Sequence, residues 1–127
     1  MQPSQIPLTA TAPIKGQTDQ QLFYRFIQLL NEKYIEYGYA DLFAYALQVN
    51  QKKLNKAAKE ITGKTACCLV EEKIVTEAKK ILAQSRYQVK QIAWQLGYED
   101  QYYFSRMFKR QTGISPRQYR NQFSGAK

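Results

Sequence analysis

"QIAWQLGYEDQYYFSRMFKRQTGIS", residues 91–115, decides the fold because a looser copy of it lies earlier in the chain, as "LFAYALQVNQKKLNKAAKEITGKT", residues 42–65. Thr112-Gly113 falls on Thr62-Gly63, Lys109 on Lys59, Arg106 on Lys56, Phe104 on Leu54 and Asp100 on Asn50, all at an offset of 50. Before the turn the offset drops to 49, with Ile92 on Phe43, Ala93 on Ala44 and Leu96 on Leu47. The second copy therefore has a turn one residue longer, and that turn holds Gly97. Each copy reads as a short helix, a turn and a capped helix. Ala44 and Ala93 are small, as a close crossing of two helices requires. This is helix-turn-helix chemistry, and it occurs twice.

The second copy assigns most of its residues a role. Gly97 closes the short helix, where a positive φ is often needed. Asp100 accepts from the first free N–H groups of the next helix. Phe104, Met107 and Phe108 share its buried face. Gln101, Tyr102, Ser105, Arg106 and Lys109 share the outer one, and such groups donate to base edges or phosphates. Tyr103 is expected to pack on the neighbouring unit, and Trp94 to lie in the core or between helices. Gly113 stops the helix. Ser115 and Gln118 form a capping box for the last helix, with Pro116 in its first turn and Arg117 and Arg120 along it.

Working outward, Thr18 and Gln21 form another capping box. Leu22, Phe23, Phe26, Ile27, Leu30 and Tyr34 follow at helical spacing up to Gly38. A short helix is expected over about 39–47, one over 51–61 capped by Asn50 and closed by Gly63, and a long one from a Thr65 cap to about Gln84. Helices over 89–96, 101–111 and 116–123 complete the set. The expected fold is all-α: seven helices forming two helix-turn-helix subdomains, a first unit at about 18–64 and a second at about 86–123, joined by a linker helix at about 65–84. Residues 1–17, with Pro3, Pro7 and Pro13, read as a flexible linker or arm leading from a longer protein.

The charge distribution points to the partner. The chain of 127 residues carries a net +9, and it is uneven. Residues 1–49 hold three basic and four acidic side chains, whereas residues 50–127 hold sixteen and six. Such a field favours a polyanion, although a basic surface also serves plain solubility. Neither a metal nor any other cofactor is implied: there is no histidine, and Cys67 and Cys68 are adjacent, a spacing that suits neither a disulfide nor a metal. Without histidine or paired carboxylates no catalytic site assembles, so an enzyme is not expected. A reducing cytoplasm is the expected setting. No apolar run reaches the ~20 residues that span a membrane.

A linker helix of ~20 residues spans ~30 Å, close to the ~34 Å between successive major grooves on one duplex face. That geometry favours double-stranded DNA over RNA, whose deep groove does not admit a helix. The competing class is a protein-interaction module that docks RNA polymerase or another regulator through tyrosines, of which there are ten.

"QIAWQLGYEDQYYFSRMFKRQTGISPRQYR", residues 91–120, resembles the signature of the DNA-binding domain of AraC/XylS-type bacterial transcription regulators, with Tyr98 where phenylalanine is usual. The resemblance extends over about 18–123. The first copy is looser and has Ala57-Ala58 where a large aromatic is usual. The resemblance implies that Lys52, Lys53, Asn55 and Lys56 face bases from the first recognition helix, and Gln101, Tyr102, Ser105 and Arg106 from the second. It also implies backbone contacts at the helix starts near Thr65, Lys90 and Ser115. Lys109, Arg117 and Arg120 are further expected phosphate contacts. Most such regulators carry a separate sensing or dimerising domain ahead of this one.

Overall fold

A computed structural model of the chain describes residues 16–124. They form α1 (Asp19–Tyr37), α2 (Ala40–Ala46), α3 (Gln51–Thr62), α4 (Ala66–Gln84), α5 (Val89–Gln95), α6 (Gln101–Thr112) and α7 (Pro116–Ser124), with no strand among the described residues. The all-α class and the expected order of helices are both observed. Of the arm expected over 1–17, residues 1–15 lie outside the described residues.

Local hydrogen bonding sets the helix ends. Thr18 Oγ1 accepts from the Gln21 N–H at 3.1 Å, and the Gln21 side chain accepts from the Thr18 N–H at 2.9 Å. Ser115 and Gln118 repeat that box at α7, at 3.1 and 2.9 Å. Such reciprocal pairs satisfy donors that the first turn cannot. Asn50 caps α3 and Asp100 caps α6 from one side only, by accepting from the Lys53 and Tyr102 N–H groups. Gly63 and Gly113 close those helices at φ 81° and 91°.

The duplication is physical as well as sequential. The Thr62 hydroxyl donates to the Ala58 carbonyl at 2.8 Å and accepts from the Lys64 N–H at 3.0 Å. Thr112 does the same with Phe108 and Ile114, at 2.8 and 3.2 Å. In the turns, the Val49 N–H donates to the Ala44 carbonyl at 3.0 Å, and the Tyr98 N–H to the Ala93 carbonyl at 2.9 Å. Gln48 and Gly97 precede them at φ 59° and 96°. Gly97 thus matches Gln48, and the residue that the second copy adds is Glu99.

Only one of those two positions requires glycine for space. A Cβ on Gly97 would sit 2.4 Å from the Ile35 carbonyl oxygen, so the second turn lies against the end of α1. Beside it the buried Tyr98 hydroxyl donates to the Gly38 carbonyl at 2.8 Å. The Tyr98 ring meets Tyr39 and Tyr103 at centroid distances of 5.6 and 5.8 Å. Tyr103 also meets Tyr39 at 5.9 Å, and so packs on the neighbouring unit as expected. Tyr98 also differs usefully from the usual phenylalanine, because its hydroxyl ties the two units together.

Burial raises the Tyr98 pKa above the ordinary tyrosine value, with Tyr103 and Tyr39 as lesser causes. A raised folded-state pKa means that the stabilisation is complete below the unfolded-state value of ~10 and is lost as pH rises above it. Stability measured by urea denaturation should therefore fall above pH ~10, and less in Tyr98→Phe. Equal alkaline losses in both proteins would remove Tyr98 as the cause.

The helix α4 packs on all six other described helices. Its buried residues, among them Val70, Ile74, Ala78 and Leu82, run through one continuous core. The two ends of that core are filled differently. Phe104, Phe108 and Tyr119 stack in series in the second unit, at 6.3 and 5.7 Å. In the first unit Ala57 and Ala58 are fully buried on α3, and the rings come from α1 and α2, where Phe26 meets Phe43 at 5.6 Å.

Candidate nucleic-acid interface

The recognition helices α3 and α6 use their apolar stripes to face the core: Leu54, Ala57 and Ala58 in one, Phe104, Met107 and Phe108 in the other. The opposite stripes are left outward. Lys52, Lys53, Lys56 and Lys59 are exposed on α3, and Tyr102, Arg106 and Lys109 on α6. Ser105 and Gln101 are half-buried. The helix α6 is pinned to α4 by the buried Glu71, which accepts from Arg110 Nη2 at 2.6 Å and from Gln111 Nε2 at 2.9 Å. A buried carboxylate needs both partners, because the unpaired charge is costly.

Two of the residues expected at base edges have other commitments. Asn55 is half-buried, and its Oδ1 accepts from the Ala66 N–H at 2.9 Å. That donor opens α4 and has no partner within its own helix. Lys56 Nζ lies 3.0 Å from Asp19 and 2.9 Å from Glu60. Hydrogen bonds that Lys56 donates to Glu60 and then to Asp19 hold its pKa above the ordinary value, and Lys56 in turn holds the Asp19 carboxyl below its own.

Lys90, Gln101, Arg117 and Arg120 come together, and with Gln88 and Val89 they line one cleft of about 350 Å³. This cleft gathers the starts of α5, α6 and α7. Helix starts present free N–H groups, and together with three cations they suit a phosphate. Arg120 is partly committed to the fold, since its Nε donates to the Leu82 carbonyl at 3.2 Å. Thr65 and Ser115 cap α4 and α7 by accepting from the Cys68 and Gln118 N–H groups. Gln88 is a cleft residue that the sequence reading passed over. The available signal was the spacing to Gln91, whose Oε1 accepts from the Gln88 N–H at 2.8 Å.

Trp94 requires a correction. It is 72% exposed on α5 rather than packed in the core or between helices, and its repeat counterpart Tyr45 on α2 is 83% exposed. The size of the ring suggests an inward place, but on a helix of seven residues Ile92 and Ala93 already fill the buried stripe. Among the described residues no helix is long and apolar enough to cross a membrane, and no cluster of His, Cys, Asp or Glu is arranged to hold a metal ion.

Residues 43–122 match the family model of a helix-turn-helix domain. The chain is 30% identical over 101 residues to the uncharacterized HTH-type transcriptional regulator YisR of Bacillus subtilis, covering 80% of this chain and 35% of that protein. The C-terminal domain of AraT, a response regulator from Geobacillus stearothermophilus, superposes with a TM-score of 0.68 at 28% identity, over 80% of this chain and 84% of that one. A transcriptional regulator of the AraC-type DNA-binding-domain class from Chromobacterium violaceum superposes with a TM-score of 0.69 at 22% identity, over 85% and 96% of the two chains. The chain thus spans about a third of the length of the curated relatives it matches.

Proposed function

Because the chain belongs to the AraC-type helix-turn-helix family of transcription regulators, we propose that it binds double-stranded DNA sequence-specifically, placing α3 and α6 in adjacent major grooves. On this reading the first unit is residues 18–64, the connector 65–84 and the second unit 86–123. The observation that carries it is the repeat geometry: two recognition helices with the same caps, each with a cationic outer face, braced against one connector. The 19 residues of α4 give a span of ~28 Å, against the ~34 Å groove repeat. The contact of Gly97 with Ile35 and the Tyr98–Gly38 hydrogen bond brace the units a second time. Lys90, Arg117 and the exposed Lys109 hold phosphates, as do the helix starts at Thr65 and Ser115. The role is binding rather than catalysis, in the cytoplasm of a bacterium. The whole regulator carries a further sensing or dimerising domain.

Titration of labelled duplexes over a range of salt tests this. Each neutralised phosphate contributes a log–log slope of about −0.9. About six contacts would therefore lower affinity by roughly 10³-fold between about 50 and 200 mM salt. A flat response would sink the reading.

The exposed Tyr45 and Trp94, on equivalent faces of α2 and α5, favour a second role beside the first. They suit an aromatic protein interface, with RNA polymerase as the partner. Such an interface is salt-tolerant where the DNA contacts are not.

A further inference from the structure

The repeat permits a comparison of two recognition helices, position by position, inside one molecule, and at the reading positions they are not equivalent. Lys56 and Arg106 stand at the same place in the two copies. Lys56 is held by Asp19 and Glu60, whereas Arg106 is exposed and takes part in none of the ion pairs among the described residues. Asn55 and Ser105 also correspond. Asn55 commits its oxygen to the Ala66 N–H, which is the atom an asparagine needs to complete a bidentate pair with adenine. Gln51 corresponds to Gln101, which lies in the phosphate-suited cleft with Lys90 and Arg117. Besides Gln51, α3 leaves Lys52, Lys53 and Lys59 outward, and these three lysines take part in none of the ion pairs among the described residues. Lysine is a flexible point charge, well matched to phosphate and poor at discriminating bases, whereas the planar fork of arginine matches guanine.

Resting on the DNA-binding reading above, we infer that sequence readout is one-sided: α6 reads base edges through Arg106, flanked by Tyr102 and Ser105, while α3 grips its groove through phosphates. A cognate site then carries one information-bearing half-site, with guanine opposite Arg106, beside a half-site of free sequence.

The experiment is selection of bound duplexes from a random pool by the full chain, followed by footprinting of the best site. One conserved box within a protected region two grooves long is expected. Two boxes of comparable information would overturn the inference while leaving DNA binding intact. No salt-dependent duplex binding would overturn both. Variants separate the roles. Lys52→Ala with Lys53→Ala should weaken the selected and a scrambled duplex by the same factor and shrink the salt slope by about 2. Arg106→Ala should lose roughly 5–150-fold on the selected duplex only, and should relax the preference for guanine. A new base preference or loss of one in the double lysine variant, or an equal loss on both duplexes with Arg106→Ala, would overturn the division of labour.

Discussion

Phe108→Ala should lower the folding free energy by about 3–5 kcal/mol, as truncations of large buried rings do. Phe108 is fully buried and stands between Phe104 at 6.3 Å and Tyr119 at 5.7 Å. It therefore links α6 to α7. Removing the ring takes its apolar surface out of the core and leaves a hole whose walls are themselves rigid rings and cannot collapse far. Its counterpart Ala58 is also fully buried, and the rings of the first unit, Phe26 and Phe43, come instead from α1 and α2. The two units are thus alike in backbone and different in filling, and an alanine tolerated at 58 is not tolerated at 108. Each kcal/mol is worth roughly 4 °C of melting temperature in a chain of 127 residues. A drop of more than about 12 °C is expected in calorimetry, and a midpoint unchanged within error would mean the ring does not hold α7 in place.

Gly97→Ala should cost about 2–5 kcal/mol, for two separable reasons. The backbone at φ 96° penalises any Cβ by roughly 1–2 kcal/mol. The new methyl would also lie 2.4 Å from the Ile35 carbonyl oxygen. An overlap with backbone has no flexible side chain to yield, so a further ~1–3 kcal/mol of overpacking strain is expected. Gln48 is the internal control. It occupies the same turn position at φ 59° with a side chain already present, so Gln48→Gly should shift stability by no more than ~1 kcal/mol. Urea denaturation of both variants separates dihedral strain from the clash. If Gly97→Ala matched wild type, the joint between the second turn and α1 would have to open easily, and the spacing of the recognition helices would rest on α4 alone.

Much of this protein is legible along the chain. The helix order, the caps at Thr18, Asn50, Thr65, Asp100 and Ser115, the glycine stops and the duplication all depend on contacts within about four residues. For such contacts, residue type and spacing are sufficient causes. The inward set of Phe104, Met107 and Phe108 follows from the same local period, as does the exposure of Arg106. Trp94 shows the limit, because a period says which residues share a face and not which face finds a neighbour.

What only the tertiary structure decided are the pairings across long separations. Lys56 meets Asp19 over 37 residues, and Tyr98 meets Gly38 over 60. Asn55 turns to Ala66, Glu71 reaches Arg110 and Gln111, and the starts of α5, α6 and α7 converge on one cleft. None of these is a property of a helix by itself. Each arises when rigid elements dock, and a rotation of one helix by a single residue, about 100°, would exchange every partner. The sequence by itself therefore determined which helices form and which of their stripes are apolar. The docking of the two units along α4 determined which cations are left outward for a duplex and which are spent holding the protein together.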